Sequence, residues 1–108
     1  MYVRNKRLDD VEVLSLFGVI NAENIGVFHE HIERVLDDDV RLVVLDLEKL
    51  EEIDSTGIGG IISLLKRMRQ KDGDVRIVRI RGAVKKLFEL LRIDRGIDIY
   101  ESVEEAVK

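Results

Sequence analysis

The residues most able to do chemistry lie close together in EEIDSTGIGG, residues 51–60. Within seven positions, this stretch places one acid, two hydroxyls and three glycines in the order Asp54-Ser55-Thr56-Gly57-Ile58-Gly59-Gly60. The mixture is compatible with a serine nucleophile, a phosphate-binding loop, a tight turn or helix cap, or a site of covalent modification. Residues elsewhere in the chain help to decide among these four.

A catalytic role for Ser55 requires a general base and a group that orients the base. The chain has no cysteine, so no thiol can replace the serine. Its only histidines are His29 and His31, and because they are two residues apart on a predicted helix they point in different directions. The stretch also lacks the Gly-x-Ser-x-Gly spacing of a nucleophile elbow. We therefore expect a protein that is not an enzyme.

The glycines suggest a phosphate-binding loop, because a Gly-rich turn that opens a helix can bind anions. The Walker pattern needs a lysine after its second glycine, and none stands here. The dinucleotide pattern Gly-x-Gly-x-x-Gly fails as well, since Ile62 occupies its last position. Weak nucleotide binding remains an alternative. The acids at 37–39 lack the spacing of an EF-hand, so we expect no metal and no cofactor.

The composition favours one small domain over residues 1–108, with 45% hydrophobic and 37% charged residues. The formal net charge is −4 and the basic residues are interleaved with acids, which argues against a nucleic-acid surface. The apolar runs are too short to span a bilayer. The N-terminus, MYVRNKRLDD, has no apolar signal core, so we expect a cytoplasmic protein without membrane partners.

Apolar periodicity predicts the strands and helices that position the stretch. Gly18 is expected to end the second strand, and Asn24 to cap the first helix through its side-chain oxygen. A third helix should bury Val84, Leu87, Phe88 and Leu91. Strands are predicted at 1–8, 11–17, 40–47, 75–80 and 97–100, and helices after Asn24, Gly57 and Gly82 and at the capping box 102–105.

The resulting order is β-β-α-β-α-β-α-β-α. Because strands and helices alternate after the first hairpin, crossover connections and a largely parallel sheet are expected. We therefore predict an α/β fold with a four- to five-stranded mixed, largely parallel sheet and about four helices.

A helix cap explains only the first part of the central stretch. Asp, Ser and Thr all favour helix N-termini, but a cap does not account for Gly59 and Gly60, since glycine disfavours a helix interior. The expected core side of this helix contains Ile58, Ile61, Ile62 and Leu65, which leaves Gly59, Gly60 and Ser63 off it. Such a bare face lets another surface approach closely. That surface could belong to this chain or to another protein, and the spacing leaves both interpretations open.

The chain resembles the STAS domain of small, stand-alone bacterial anti-sigma factor antagonists. The matching stretches are VEVLSLFGVIN, RLVVLDLEKLEEIDSTGIGGIISLLKRMRQKDGDVRIVRI and GAVKKLFELLRIDRGIDIYESVEEAV, and together with the first helix they cover essentially the whole chain. The most specific match is Leu45-Asp46-Leu47 followed by Ile53–Gly59, where the family pattern is Asp-Ser-Ser/Thr/Ala-Gly-Leu-Gly and only Ile58 departs. Before the first helix, Gly18–Asn21 replaces the Gly-Glu-Leu-Asp that antagonists often carry.

The resemblance implies a regulatory role. Ser55 matches the serine that is phosphorylated in the family, and the implied partner is an anti-sigma factor that is itself a GHKL-type serine kinase. The unphosphorylated antagonist binds this kinase and releases the sigma factor, phosphorylation breaks the complex, and a serine phosphatase restores it. A STAS subunit of a stress-sensing scaffold or of a lipid-transport system is the alternative from another class.

We expect the partner to contact the start of the second helix and the neighbouring loop. The expected contact residues are Asn21, Asn24, Asp54, Ser55, Thr56, Gly57, Ile58, Gly59, Gly60 and Ser63.

Overall fold

A six-stranded mixed sheet organises the protein, and the computed structural model describes all 108 residues. The α/β class, the mixed, largely parallel sheet and the four helices agree with the sequence-based prediction. A 3₁₀ turn, Ile93–Arg95, follows the third helix. In chain order, the elements are β1 (Tyr2–Leu8), β2 (Val11–Ile20), α1 (Ile25–Asp37), β3 (Leu42–Asp46), β4 (Leu50–Ile53), α2 (Ser55–Gln70), β5 (Asp74–Val78), α3 (Gly82–Leu90), β6 (Asp98–Tyr100) and α4 (Val103–Ala106).

The strands lie in the order β1-β2-β3-β5-β6. Only the β1–β2 hairpin is antiparallel, and the other pairs are parallel. β1 forms one edge of the sheet. Its charged side chains are all basic, Arg4, Lys6 and Arg7. The alternation of strands and helices therefore produces the crossover topology expected from the sequence.

The short strand β4 was not predicted, and it explains why the sheet has more strands than expected. β4 pairs in parallel with the last part of β2, from Gly18 opposite Leu50 to Ile20 opposite Ile53. Its sequence, LEEI, has two exposed acids between the buried Leu50 and Ile53. It therefore lacks the alternation of apolar and polar residues that would predict a strand. This pairing brings the residues that precede α2 beside the end of β2.

Gly18 does not end β2, contrary to the prediction. The strand continues to Ile20 through an irregularity between Gly18 and Val19, and Gly18 adopts φ +87°, which glycine tolerates best. The Gly18 N–H donates to the Lys49 carbonyl at 3.0 Å. The bend allows β2 to pair first with β3 and then with β4.

Helices α1, α2 and α3 cover one face of the sheet, and the short α4 covers part of the other. The main core contains Phe28 of α1, Leu64 of α2 and Phe88 of α3, none of which is exposed. Ala106 of α4 packs in a smaller cluster on the opposite face. None of the helices combines the length and apolar character needed to cross a membrane.

Two details at the C-terminal end of the chain differ from the prediction. Leu91 was expected in the core but is 52% exposed, because α3 ends at Leu90 and the chain turns at Arg92 with φ 60°. Ser102 caps α4 as predicted, accepting from the Glu105 N–H at 3.1 Å. The reciprocal bond of a capping box is missing, since the Glu105 carboxylate lies 3.4 Å from the Ser102 hydroxyl instead.

Candidate docking site

Asp54 starts α2 and ties it to the neighbouring loop. Its backbone is extended, and its Oδ1 accepts from the Gly57 N–H at 3.0 Å, which satisfies a free donor of the first turn. Its Oδ2 accepts from the Ala22 N–H at 3.2 Å, and its own N–H donates to the Ile20 carbonyl at 3.1 Å. One side chain therefore holds the start of α2 against the loop that follows β2.

The loop at 21–24 is held by its two asparagines. Asn21 Oδ1 accepts from the N–H groups of Glu23 and Asn24, at 3.0 and 3.2 Å. Asn24 Oδ1 accepts from the Asn21 N–H at 2.9 Å, and its Nδ2 donates to the Val19 carbonyl at 2.8 Å. Asn24 therefore does not cap α1 with its side chain, contrary to the prediction, because its oxygen is already bonded to Asn21. Asn21 lines the same groove as Asp54.

The exposed surface of α2 near its start carries hydroxyls and one glycine. We call Ser55, Thr56, Gly59 and Ser63 the docking face; all four residues are exposed. Ser55, Gly59 and Ser63 are spaced by four residues, so they share one side of the helix over about 12 Å. The hydroxyls of Ser55 and Thr56 have no hydrogen-bond partner, and neither do their backbone N–H groups. Both hydroxyls are therefore available to another molecule.

Gly57 and Gly60 are buried, so the prediction that Gly60 lies on a bare outer face is wrong. A Cβ at Gly57 would lie 2.6 Å from Ile53 Cγ1 and 2.8 Å from Ile20 Cγ2. A Cβ at Gly60 would lie 3.4 Å from Phe28 Cε2, whereas one at Gly59 would meet nothing within 4 Å. Close packing inside the chain explains the first two glycines, and only Gly59 fits the docking interpretation.

The same packing changes which side of α2 faces the core. The buried apolar side chains are Ile58, Ile61, Leu64 and Met68, while the predicted core residues Ile62 and Leu65 are only partly buried. The buried side of α2 therefore includes Gly57 and Gly60, where the backbone approaches its neighbours. Ile58 is 7% exposed, so this predicted contact residue supports the site from below.

A groove of about 330 Å³ opens beside the start of α2, between β4 and α3. It was not predicted, because it requires β4 and the neighbourhood of two segments far apart in the sequence. Six of its nine lining residues are apolar. The lining is Val19, Ile20, Asn21, Glu52, Ile53, Asp54, Ala83, Val84 and Leu87.

The charge near the docking face is negative. Glu23, Glu52 and Asp54 form no ion pair. No basic residue lines the groove. This end of the molecule therefore favours a basic partner surface over an acidic one.

The far part of α2 has paired charges. Arg67 donates to both carboxylate oxygens of Glu33 on α1, at 2.6 and 3.1 Å, and this hydrogen bonding lowers the pKa of Glu33. His31 lies 3.1 Å from the Arg34 guanidinium, and neither His31 nor His29 bonds to Ser55. No group of three or more carboxylate or histidine side chains is arranged to hold a metal ion.

Comparisons with known proteins agree with this fold. A family model described as the STAS domain matches residues 2–106. A candidate anti-sigma factor antagonist of Thermotoga maritima is 29% identical over 95% of this chain and 92% of the relative. A crystal structure of a candidate antagonist from the same organism has a TM-score of 0.89 at 28% identity, covering 97% of this chain and 91% of that one.

The Bacillus anti-sigma factor antagonist SpoIIAA shares the fold at lower identity. Its unphosphorylated form gives a TM-score of 0.86 at 18% identity, over 98% of this chain and 93% of that one. Its phosphorylated form gives 0.79 at 17% identity, over 98% and 96%. Since the family model spans almost every residue from β1 to α4, this chain belongs to the STAS domain family.

Proposed function

We propose that this protein is an anti-sigma factor antagonist whose unphosphorylated form binds an anti-sigma factor serine kinase of the GHKL type and releases the sigma factor. The observation that carries the proposal is the exposed, unbonded hydroxyl of Ser55 on a helix start held by Asp54. The relatives support it, since a similar Thermotoga maritima protein is described as a candidate antagonist. SpoIIAA, which shares the fold, has been solved with and without phosphorylation.

Phosphorylation of Ser55 is compatible with the free protein. A phosphoryl group adds about 1.5 to 2 negative charges, and it would be placed at the N-terminus of a sixteen-residue helix. The unbonded N–H groups of Ser55 and Thr56 and the helix dipole favour an anion there. The phosphorylated chain should therefore keep its fold.

The bound complex should not tolerate the same charge. Two unit charges about 6 Å apart repel by about 0.7 kcal/mol in water and by about 2.8 kcal/mol at an effective dielectric of about 20. When the kinase excludes water from the docking face, repulsion between phosphoserine and Asp54 therefore rises by about 2 kcal/mol per unit charge. With up to two charges, this weakens binding about 100- to 1,000-fold. Removal of the phosphoryl group by a serine phosphatase would reverse the switch.

The test uses purified anti-sigma factor kinases encoded in the same genome, with ATP and without it. Mass spectrometry after incubation with ATP should place a single phosphoryl group on Ser55, and Ser55→Ala should remain unmodified. Calorimetry should show that Ser55→Ala binds the kinase as the wild type does. Ser55→Asp, which adds one charge, should bind about 30-fold more weakly.

Thr56→Ala is the matched control, because Thr56 is the adjacent exposed hydroxyl, and this variant should still be phosphorylated on Ser55. All variants should keep the melting temperature of the wild type within a few degrees. Modification of Thr56 instead of Ser55 would reassign the switch to that residue. Equal kinase affinities for Ser55→Asp and Ser55→Ala would refute the charge mechanism.

A further inference from the structure

We propose that the groove between β4 and α3 receives an apolar side chain of the kinase, and that a neighbouring lysine or arginine of the kinase pairs with Glu52. This inference rests on the proposed function and extends the contact surface beyond α2. It assigns a second contact region, beside the docking face, in which only Asn21 and Asp54 are contact residues expected from the sequence.

The shape and lining of the groove fit an apolar anchor. Ala83, at the first turn of α3, is small and exposed, so it leaves open the space in front of the wall formed by Ile53 and Val84. A volume of about 330 Å³ is ample for one large apolar side chain. Large apolar residues that fill such pockets contribute most of the affinity in many protein interfaces.

The apolar surface continues along α3 beyond the groove. Leu87 lines the groove, Leu90 follows it by three residues in the last turn of α3, and Leu91 comes directly after the helix. Leu90 is 78% exposed and Leu91 is 52% exposed. Exposed leucines that extend an apolar groove are typical of a protein-binding surface.

The groove adjoins the docking face. Asp54 lines the groove and is also the residue that caps α2, directly before Ser55. Asn21 lines the groove from the neighbouring loop. A partner that covers Ser55 therefore also reaches the groove, and one continuous surface of the kinase can occupy both.

The acidic residues of the groove indicate which kind of partner segment binds there. The side chain of Glu52 lines the groove and forms no hydrogen bond or ion pair, and the lining contains no basic residue. A partner segment with an apolar residue next to a lysine or arginine satisfies both features. An acidic segment would meet Glu52 and Asp54 with like charge, which opposes docking.

Two pairs of variants test this inference by calorimetry against a kinase that binds the wild type. Ala83→Trp fills the groove, and Gln70→Trp adds the same side chain at the exposed end of α2 as a control. Glu52→Lys reverses the groove charge, and Glu51→Lys makes the same change at the adjacent exposed residue of β4, which does not line the groove. We expect about tenfold weaker binding for Ala83→Trp and Glu52→Lys and little change for the controls.

The outcomes separate this inference from the proposed function. If no kinase from the genome binds the wild type, both are refuted. If the wild type binds and Ser55→Asp binds weakly, but Ala83→Trp and Glu52→Lys match their controls, only the groove proposal is refuted. Circular dichroism checks that each variant is folded, and if Ala83→Trp unfolds, the exposed pair Glu52→Lys and Glu51→Lys decides the question alone.

Discussion

Replacing the three glycines of α2 by alanine, one at a time, should give three different stabilities. Each substitution removes backbone freedom from the unfolded chain and favours the helix by up to about 1 kcal/mol. The space available for the added methyl group differs among the three positions. Gly59 has open space around it, Gly60 has Phe28 at an ordinary contact distance, and Gly57 has no room for a methyl group.

The largest effect is expected at Gly57. The added Cβ would lie within 3.0 Å of two carbons of Ile53 and 2.8 Å from a methyl group of Ile20. Both isoleucines are buried and, as β-branched residues, cannot easily rotate away. Overpacking of this kind costs about 1 to 3 kcal/mol, which outweighs the helix preference. Gly57→Ala should therefore be about 0.5 to 2 kcal/mol less stable than the wild type.

Urea unfolding followed by far-ultraviolet circular dichroism measures the series. Gly59→Ala should be more stable than the wild type by about 0.5 to 1 kcal/mol, and Gly60→Ala should equal the wild type or slightly exceed it. Gly57→Ala and Gly59→Ala should thus differ by about 1 to 3 kcal/mol. Equal stabilities for these two variants would refute the conclusion that Gly57 is required by close packing.

Three further predictions concern single side chains. Asp54→Ala should lower stability by about 1 to 2 kcal/mol in urea unfolding, whereas Asp54→Asn, which can still cap α2, should lose much less. Burial, followed by the nearby Arg34 charge, lowers the pKa of His31, so the folded state binds a proton there less readily than the unfolded state does. Stability should therefore fall as the pH drops through the unfolded value of about 6.5, and His31→Gln should reduce that fall in unfolding measured from pH 8 to 5. Gly82 has φ +56° and open space around it, so Gly82→Ala should lose about 1 kcal/mol through backbone strain alone, seen as a lower melting temperature.

The sequence predicted the elements that have long apolar patterns. The helix that buries Phe28, Ile32 and Val35 was predicted because its apolar residues recur at helical spacing over more than three turns. β3 was predicted because the run VRLVVLDL is almost continuously apolar, and the structure buries most of this strand. In both cases many residues carry the same signal, so a single misplaced residue does not hide it.

The sequence predicted neither which side of α2 is buried nor the groove, and the two failures have different reasons. Hydrophobic periodicity assigns no weight to glycine, yet Gly57 and Gly60 are part of the buried side of α2. The groove depends on β4, whose four residues are too few to show a period, and on its contact with α3 some thirty positions later. The hydroxyls and Asp54, by contrast, were recognisable from local chemistry, because a cap needs only its neighbouring residues.

The edge strand β1 has a consequence for how copies of this protein meet one another. Its outer side has no neighbouring strand, and an open edge can recruit another chain into a growing sheet. Arg4 and Lys6 form no ion pair, so two copies that aligned their β1 edges would bring unneutralised positive charges together. Although the chain is acidic as a whole, its one long open edge repels itself. This charge opposes edge-to-edge association of copies of the protein through β1.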